Sequence, residues 1–434
     1  MFLQREEELN LLTKRFEDLN SSIEFIFGPK NSGKTALVHE YSKEKNRLYF
    51  SNYEMIPSLF FTQMADTISD YFHGNKTVGI PFKSFLEVLI FLDKQIIEQK
   101  LVVILDDFQN ILKVDKNALD VLFKFWKKNL KNKNIQIIVV SSLLFNNKIE
   151  EEIEKTANVI KLDFLDFIVI KEFFPKMNRL DQLYVYSLLG TAPSNLKFYN
   201  SKLEFTDNIL NLFLSPNSYL FDYGIRVLKS EISDIGTYSS ILYSISKENN
   251  KIGDIALSLD VKSSHLTRYL QKLIDMMIIQ KVLPIDEEKK SSKFGRYEII
   301  DNTLKFWFSY IYPNLTSLQL NNVKDVIKQI EDQFIRKTVF LSYKSCIKEF
   351  VYKSRENIFG YKPIKIGSWW DNQNAYIDLI AYDKKRITFV QILWEDKDIA
   401  KISYSKLKST SEKYETKLEK KYIIVTKNTF FNMK

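Results

Sequence analysis

The stretch "GPKNSGKT" at positions 28–35 constrains this chain more than any other feature. Its two glycines, lysine and threonine have the spacing G-x-x-x-x-G-K-[ST] of a phosphate-binding loop. A short β-rich run at 23–27 precedes the stretch, and a helical pattern follows it at 36–41. In a strand–loop–helix unit of this kind, backbone N–H groups point at phosphate oxygens. The sequence therefore predicts a nucleotide bound where a strand meets a helix.

The loop also predicts the roles of individual side chains. Lys34 is expected to reach the β- and γ-phosphates, and the Thr35 hydroxyl is expected to ligate Mg²⁺. The expected cofactors are accordingly ATP or ADP together with Mg²⁺. The residues predicted to bind the nucleotide are Gly28, Pro29, Lys30, Asn31, Ser32, Gly33, Lys34, Thr35, Ala36 and, further along the chain, Ser141.

An acidic pair supplies the second half of the predicted site. Leu101–Leu105 is a continuous apolar run, typical of a buried parallel strand, and it ends in Asp106-Asp107. We expect Asp106 to bind Mg²⁺ and Asp107 to act with Lys34 in catalysis by orienting or deprotonating the attacking water. A solvated turn is the simpler explanation of two acidic residues, but the preceding phosphate loop favours the catalytic one.

Further apolar runs predict the sheet to which both motifs belong. Runs at 47–52, 135–144 and 158–164 alternate with helical stretches such as 117–130. This alternation indicates an α/β fold with a doubly wound parallel sheet. Within the second of these runs, Ser141 is predicted to hydrogen-bond the γ-phosphate or the lytic water, unless it merely caps the end of the strand.

The composition of the chain indicates its redox environment, its relation to membranes and its possible partners. The 434 residues carry a net charge of +9 and a single cysteine, Cys346. One thiol excludes an intramolecular disulfide and a cysteine zinc cluster, which fits a reducing interior. The first ten residues are charged, unlike a signal peptide, and no apolar run approaches the roughly 18 residues of a membrane span. We therefore expect a cytoplasmic protein without membrane contact, whose positive charge reflects either nucleic-acid binding or a lysine-rich composition alone.

Several segments resemble the archaeal P-loop ATPases of the AAA+-related class. Besides the phosphate loop, the resemblance rests on "REEEL" at 5–9, "ILDDFQ" at 104–109 and "VVSS" at 139–142. "LLGTAPSNL" at 188–196 is similar to the Gly-x-x-Pro turn of that family's helical lid. "YEIIDNTLKFWFSYIYPN" at 297–314 resembles the signature that opens the C-terminal region of many members. The resemblance implies an ATPase fold with a helical lid, and it implies that segment 5–9 packs near the adenine.

Two departures from that family concern hydrolysis. Many relatives have Glu at the position of Asp107, and the family commonly has Gly-Arg, a candidate arginine finger, shortly before the fifth strand. The corresponding stretch here, "IEEEIEKTANVIKL" at 149–162, contains no arginine, and Lys155 is the nearest cation. Since an ammonium lacks the fork of a guanidinium, the sequence predicts nucleotide binding with slow turnover.

The stretch at 237–300 carries a different pattern, three short amphipathic helices and two apolar strands around a charged tip. These elements predict a winged helix, which the resemblance also implies. Its basic and hydroxyl side chains suit DNA, but acidic neighbours dilute the patch, and such domains also contact proteins. DNA and a protein partner or second copy of the chain are therefore alternatives. The candidate contact residues are Lys262, Ser263, Ser264, His265, Thr267, Arg268, Lys272, Lys289, Lys290, Lys293 and Arg296.

Near the end of the chain, a hairpin is predicted with strands at 376–382 and 387–394. It resembles the core of the PD-(D/E)XK nuclease fold, which some relatives carry here. That chemistry needs an Asp on the first strand, where Asp378 stands, and Glu-x-Lys on the second. Glu349 is a candidate for an additional helix carboxylate. Gln391 and Leu393 occupy the Glu-x-Lys positions. Because an amide is a poor Mg²⁺ ligand and leucine carries no charge, the domain is predicted to keep the fold and to lack nuclease activity.

These patterns together predict four parts: a P-loop ATPase core at 1–170, a helical lid at 171–230, a winged helix at 231–312 and a nuclease-like domain at 313–434. Two functions are compatible with them. The first is an ATPase whose cycle moves a C-terminal half that contacts DNA or a partner. The second is a nucleotide-gated binding module that turns over little. An active nuclease is a third alternative, which the substitutions at the Glu-x-Lys positions disfavour.

Overall fold

The computed structural model describes residues 3–18, 21–51, 55–74, 82–95, 99–144, 147–288, 292–373, 375–394 and 401–428. It divides into two compact units, Met1–Leu165 with Asp275–Met277, and Asp166–Ile274 with Ile278–Lys434. The first unit contains a five-stranded sheet with a hydrophobic core on each face, and the second contains a two-stranded sheet and a four-stranded sheet with a further core. The four-part division of the sequence stays a prediction.

The first unit is built around one parallel sheet, as predicted. Its strands are β1 (Ser21–Phe27), β2 (Arg47–Ser51), β3 (Leu101–Asp106), β4 (Ile135–Ser141) and β5 (Asn158–Lys161). Its helices are α1 (Glu6–Asp18), α2 (Lys34–Ser42), α3 (Pro57–His73), α4 (Phe85–Gln95), α5 (Phe108–Val114), α6 (Ala118–Phe125) and α7 (Asn147–Thr156), with a π-helical turn at Trp126–Leu130. The strand order is β2-β3-β4-β1-β5, and every pairing is parallel.

The side chains of strand β1 show that helices pack on both faces of the sheet. Phe25 belongs to the core that also contains Phe61, whereas its neighbour Ile26 belongs to a second core with Leu37 and Val38. Successive residues of a strand point to opposite faces, so a strand covered on both sides is apolar throughout. This arrangement fixes the carboxyl ends of β1, β3 and β4 along one edge of the sheet.

Two strands end earlier than the sequence indicated. Strand β4 stops at Ser141 rather than Leu144, because the Ser141 hydroxyl accepts a hydrogen bond from the Leu143 amide and begins a turn. Strand β5 stops at Lys161, although the Leu162 amide still donates to the carbonyl of Phe27. Both ends lie at the edge where the phosphate loop begins.

The second unit begins with helices and a two-stranded sheet. The helices are α8 (Val169–Phe173), α9 (Arg179–Leu189), α10 (Pro193–Leu196), α11 (Phe205–Ile209), α12 (Tyr223–Lys229), α13 (Gly236–Ser246), α14 (Ile252–Ser258) and α15 (Ser263–Asp275), with a π-helical turn at Leu210–Leu214. Helix α15 is followed by β6 (Ile279–Val282) and β7 (Arg296–Ile299), which pair antiparallel. The last residue of α15, Asp275, and the two residues that follow it group with the first unit.

The rest of the second unit consists of further helices and a four-stranded sheet. The helices are α16 (Asn302–Phe306), α17 (Leu315–Gln319), α18 (Val323–Gln333), α19 (Phe340–Lys353), α20 (Arg355–Phe359) and α21 (Lys401–Ser411). Shorter turns lie at Trp307–Ile311, Tyr312–Asn314 and Phe334–Val339. The strands are β8 (Lys365–Trp370), β9 (Tyr376–Tyr382), β10 (Arg386–Ile392) and β11 (Glu419–Val425).

This sheet has the order β11-β10-β9-β8. Strands β8, β9 and β10 pair antiparallel, whereas β10 and β11 are parallel and are joined through α21. The first strand of the predicted hairpin has the bounds that the sequence indicated, and the second ends two residues early at Ile392. Ile377, Ile380 and Phe389 pack in the core of this sheet.

The aromatic signature of the C-terminal region forms the interior of the second unit. Phe306, Trp307 and Phe308 are fully buried. The indole N–H of Trp307 donates to the carbonyl of Phe221 at 2.8 Å, and the ring lies against Gly224. A Cβ on Gly224 would lie 2.3 Å from ring carbon Cε3, so this position requires glycine. The signature is therefore a packing feature.

Helix α15 has one buried and one exposed face. Leu266, Leu270 and Leu273 are buried. The exposed face carries most of the predicted contact residues of this helix, namely Ser264, His265, Thr267 and Arg268, and Lys262 just before the helix is exposed as well. Two of the predicted wing residues, Lys289 and Lys290, lie outside the described residues. None of the helices in the described ranges is long and apolar enough to cross a membrane.

Candidate functional site

The phosphate loop connects β1 to α2, and two of its positions require glycine. A Cβ on Gly28 would lie 2.2 Å from the carbonyl oxygen of Leu162, so no larger residue fits. Gly33 has φ 93°, and Asn31 also adopts the left-handed region, with φ 67°. Left-handed residues let consecutive amides form a concave anion-binding surface. The predicted cradle is therefore present in the backbone.

Lys34 points into this loop. Its side chain is 6% exposed, and its ammonium donates to the carbonyls of Gly28 at 2.9 Å and Pro29 at 2.7 Å. Burial lowers the pKa of Lys34 to about 8, although the nearby charges of Asp107 and Asp106 oppose that shift. The predicted lysine and the acidic pair thus lie within electrostatic reach of one another.

Asp106 joins the two motifs through direct hydrogen bonds. The hydroxyl of Thr35 donates to its Oδ2 at 2.8 Å, and the hydroxyl of Tyr49 donates to the same oxygen at 2.7 Å. Its Oδ1 accepts the amide of Asp107 at 3.0 Å. Strand β4 separates β1 from β3, so this contact is a product of the sheet order. The two predicted Mg²⁺ ligands are brought together.

Asp107 sits in a strained and exposed position. Its φ of 50° and ψ of 49° are left-handed, which costs a non-glycine residue on the order of 1 kcal/mol. The amide of Gln109 donates to its Oδ1 at 2.9 Å and holds the carboxylate at the start of α5. Strain of this kind persists where the surrounding structure enforces it, as at functional sites.

The predicted contact of Ser141 with the γ-phosphate is not tested by this geometry. The Ser141 hydroxyl donates to the carbonyl of Leu143 at 3.1 Å and accepts its amide at 3.0 Å. Gln109 connects this strand end to the acidic pair, because its Oε1 accepts the amide of Ser142 at 3.4 Å. The phosphate contact of Ser141 therefore stays a prediction.

Arg5 contacts the phosphate loop from the N-terminal segment. Its guanidinium donates to the carbonyl of Ser32 at 3.1 Å and to the carbonyl of Asp163 at 2.5 Å, and it forms an ion pair with Glu8 at 3.0 Å. The resemblance implied that this segment packs near an adenine. The adenine contact stays a prediction, and the structure shows that the buried Arg5 side chain links the loop to the chain after β5.

Three residues of the site did not emerge as functional candidates from the sequence. Tyr49 contacts Asp106, Gln109 holds Asp107, and Arg5 holds the loop. Gln109 was within the quoted "ILDDFQ", and Tyr49 lies near the carboxyl end of a strand next to β3. A polar side chain near the end of a neighbouring strand is the signal that could have identified Tyr49.

The loop and the acidic pair together fit a nucleotide with a divalent cation. Thr35 and Asp106 offer two hard oxygen ligands, and the Ser32 hydroxyl is buried without a partner among the described residues. No cluster of three or more His, Cys, Asp or Glu side chains suited to a metal occurs in the described ranges. Mg²⁺ is usually held by one or two carboxylates plus substrate phosphates, and Asp106 would supply one such carboxylate. Lys30, Ala36 and the other predicted contacts occupy the same loop and the first turn of α2.

The second predicted constellation surrounds Asp378 on β9. This carboxylate is fully buried, and its Oδ1 accepts the ammonium of Lys344 at 2.7 Å. Its Oδ2 accepts the side-chain amide of Gln391 at 2.6 Å and the backbone amide of Ile392 at 2.8 Å. The partner that α19 gives to Asp378 is thus a cation. The expectation that Glu349 supplies a carboxylate here is wrong.

Glu349 lies instead beside the start of the second unit. Its two carboxylate oxygens accept the amide of Phe167 at 3.2 and 3.3 Å. Lys344 and Lys348 are four residues apart and share one face of the helix, whereas Glu349 is rotated by about 100° from Lys348. The rotation of α19 therefore decides which charged side chain faces the sheet.

The order β2-β3-β4-β1-β5, a phosphate loop after β1 and an acidic pair after β3 define a P-loop nucleoside triphosphatase fold. Residues 2–198 match a family described as an ATPase domain predominantly from Archaea. Residues 307–408 match a second family, described as "Archaea bacterial proteins of unknown function". Two separate regions of the chain are thus similar to archaeal families, the first to an ATPase domain and the second to a family of unknown function.

Individual relatives agree with this assignment. An uncharacterized protein of Methanocaldococcus jannaschii is 29% identical over 416 residues, which are 93% of this chain and 90% of the relative. An uncharacterized ATP-binding protein of the same organism is 24% identical over 327 residues, 60% of this chain and 89% of the relative. Among solved structures, the Walker-type ATPase paby2304 of Pyrococcus abyssi superposes with a TM-score of 0.52 at 16% identity, over 71% of this chain and 96% of that one. This last similarity concerns the fold alone.

Proposed function

We propose that this protein binds ATP with Mg²⁺ and hydrolyses it slowly. The observation that carries the proposal is the hydrogen bond of 2.8 Å between Thr35 and Asp106, which unites the phosphate loop with the acidic pair. The ATP-binding name of one relative supports the choice of nucleotide. Neither Thr35 nor Asp106 belongs to a hydrophobic core in the described part of the chain.

Each residue of the site has a defined task in this proposal. Thr35 and Asp106 hold Mg²⁺, which when bound neutralises phosphate charge and acts as a Lewis acid. Lys34 offers its buried ammonium to the β- and γ-phosphates. Asp107 orients the attacking water and accepts its proton, and Gln109 fixes the carboxylate through its 2.9 Å hydrogen bond.

Slow turnover is expected because the stretch before and through β5 offers no arginine finger. The sequence 149–162 contains no arginine, and Lys155 on α7 is exposed. An arginine finger contributes about 10³–10⁵ in rate when it is present in related phosphoryl transfer enzymes. This absence is also the specific observation that favours a second candidate, a nucleotide-gated binding module with little turnover. Steady-state turnover with and without DNA separates the two.

The test of the catalytic assignment is Asp107→Asn. The amide cannot accept a proton, so turnover should fall by about 100-fold or more while ADP affinity is retained. Asp120→Asn, an exposed change on α6, is the matched control and should leave both unchanged. Phosphate release and calorimetric ADP titration measure the two quantities. Hydrolysis at the wild-type rate in Asp107→Asn would place the base elsewhere.

We infer further that the second unit contains a winged helix, α13–α15 with β6 and β7, and a nuclease-like domain that includes α19 and β8–β11. The antiparallel pairings of β8–β10 and the parallel return of β11 support the second assignment. The ion pair of Asp378 with Lys344 supports the absence of cleavage, since a carboxylate neutralised by an ammonium is a weak Mg²⁺ ligand. The nucleotide state is proposed to act on these domains, which contact DNA or a protein partner.

Incubation with duplex, single-stranded and branched DNA in Mg²⁺ and Mn²⁺ tests the C-terminal proposal. No cleavage is expected, and cleavage that disappears in Asp378→Ala would contradict it. DNA contact is tested by Arg268→Ala on the exposed face of α15. Binding that weakens with salt, and weakens further in this variant, supports DNA as the partner. Absence of salt-dependent binding favours the protein partner.

A further inference from the structure

A polar cavity of about 50 Å³ lies within the second unit. The carboxyl end of α13 forms one side of it, and α16 with the turn that follows forms another. The segment that joins α18 to α19 closes the third side. Three lysines from these three separate segments, Lys247, Lys305 and Lys337, line the cavity.

The three ammonium groups have little internal compensation. Lys247 donates to the carbonyl of Ser309 at 3.1 Å, which is a neutral acceptor. The side chains of Lys305 and Lys337 form no hydrogen bond or ion pair with any other described residue. Glu248, an exposed residue at the rim, is the one carboxylate in the lining. Three positive charges thus face the cavity against one negative charge.

The electrostatics of the cavity agree with this imbalance. Burial lowers the pKa of Lys305, and the negative charges of Glu298 and Glu248 oppose the shift only in part. Burial also lowers the pKa of Lys247, and the like charge of Lys337 lowers it further. An anion bound between the three ammonium groups would offset the repulsion among their like charges.

We propose that this cavity binds a phosphomonoester group. Its volume corresponds to about three to four water-sized positions, the size of one tetrahedral oxyanion. Lys305 is half-buried, so a group that reaches it must project from its parent molecule, as a terminal phosphate does. A phosphodiester within a backbone carries a substituent on two oxygens and only one negative charge. Gln333 in the lining adds an uncharged donor without a partner among the described residues.

A terminal phosphate has two sources, a free phosphorylated small molecule and the 5′ end of a nucleic acid. Both present the same dianion to the three lysines, so the cavity chemistry is common to them. Lysine binds phosphate as a point charge, which tolerates different parent molecules. The experiment therefore needs separate arms for the two sources.

Lysine acylation of the full chain, read by mass spectrometry, gives a residue-by-residue test. Inorganic phosphate at millimolar concentration should protect Lys247, Lys305 and Lys337 from an amine-reactive ester. Lys34 is followed in the same digest and reports the phosphate loop independently. Protection of the cavity lysines without protection of Lys34 would support the cavity and count against phosphate binding at the loop. Protection of Lys34 alone would count against the cavity.

Lysine variants then test whether the protection arises from phosphate bound in the cavity. In Lys305→Met, phosphate should protect Lys247 and Lys337 about tenfold more weakly, because one of three charge-assisted contacts is gone. Lys324→Met, an exposed change on α18, is the control and should keep wild-type protection. Lys337→Met, also at an exposed position, provides a second variant if Lys305→Met does not fold.

Three probes distinguish the two sources of the phosphate. They are a nucleoside monophosphate, a short 5′-phosphorylated DNA duplex and the same duplex with 5′-hydroxyl ends. Protection by the monophosphate identifies a small-molecule source as sufficient, and protection by the phosphorylated duplex alone identifies a nucleic-acid end. Equal protection by the hydroxyl duplex would overturn the assignment to a monoester. Absence of protection by every phosphate would overturn the site.

Discussion

Replacing Glu349 by Gln should stabilise the second unit at neutral pH and flatten its pH dependence. The carboxylate accepts the amide of Phe167 at 3.2 and 3.3 Å. Burial, followed by the negative charge of Asp166, raises the pKa of Glu349 from 4.5 to about 7. The Phe167 amide and the ammonium of Lys353, which pairs with Asp166, act in the opposite direction. The folded protein therefore binds a proton at Glu349 more tightly than the unfolded chain does.

The sign and size of the effect follow from that difference. A raised folded pKa contributes stability that is fully present below pH 4.5 and is lost as the pH rises through about 7. At about 1.4 kcal/mol per pH unit, a shift of this size corresponds to roughly 3 kcal/mol. Glu349 is partly exposed, so screening by water reduces the expected loss to about 1.5–3 kcal/mol. A glutamine keeps an acceptor for Phe167 and offers a donor to Asp166 without the charge.

Urea unfolding at pH 5 and pH 8 measures this prediction through tryptophan fluorescence. Four of the five tryptophans lie in the second unit, and Trp126→Phe removes the signal of the first. The free energy of unfolding should fall from pH 5 to pH 8 in the parent, and it should fall much less in Glu349→Gln. Glu356→Gln, an exposed change on α20, should behave as the parent. An unchanged pH slope in Glu349→Gln would refute the reasoning.

Further predictions concern single contacts. Gly28→Ala places a methyl group 2.2 Å from the carbonyl oxygen of Leu162, so we expect a loss of about 1–3 kcal/mol in stability and weaker ADP binding by calorimetry. Lys344→Met leaves the buried carboxylate of Asp378 without its cation and should cost about 3–5 kcal/mol in urea unfolding. Addition of Asp378→Asn should recover much of that loss; no recovery would mean that packing dominates. Arg5→Lys cannot keep all three of its hydrogen bonds and should cost about 1–2 kcal/mol, and unchanged ADP affinity would show that the loop is positioned without it.

The parts of the proposed nucleotide site that could be predicted from the sequence are those with a local signal. The phosphate loop and the end of β3 are short motifs with fixed spacing, and the contact of Thr35 with Asp106 follows once both lie at the same edge of the sheet. Arg5 reaches Asp163, which is far away in sequence, and this partner depends on the path of the chain after β5. The contact of Tyr49 with Asp106 is likewise long-range, since it depends on the pairing of β2 with β3. Contacts between residues so far apart in the sequence follow no fixed spacing, so no sequence motif predicts them.

Helix α19 shows a different limit of sequence reasoning. Its charged residues occupy several positions around the helix, while Tyr343, Cys346, Ile347 and Val351 are buried among them. These buried residues recur at i, i+3, i+4 and i+8 and form one apolar stripe, and Lys344 and Glu349 lie on opposite sides of it, about 140° apart around the helix. The choice between Lys344 and Glu349 as the partner of Asp378 therefore required tertiary structure. The apolar strand β9 had no such ambiguity, and its bounds were predicted correctly.

The ion pair at Asp378 gives the proposed loss of nuclease chemistry a cause beyond the two substitutions. Both carboxylate oxygens already have donors, with Lys344 on Oδ1 and Gln391 and Ile392 on Oδ2. Gln391→Glu alone would place a second carboxylate beside Asp378, but Lys344 would then serve as the counter-ion of both. A cation would have to displace this ammonium, and the displaced charge would need a new partner in a buried site. Restoration of a metal site therefore requires removal of Lys344 as well as restoration of the acidic residue.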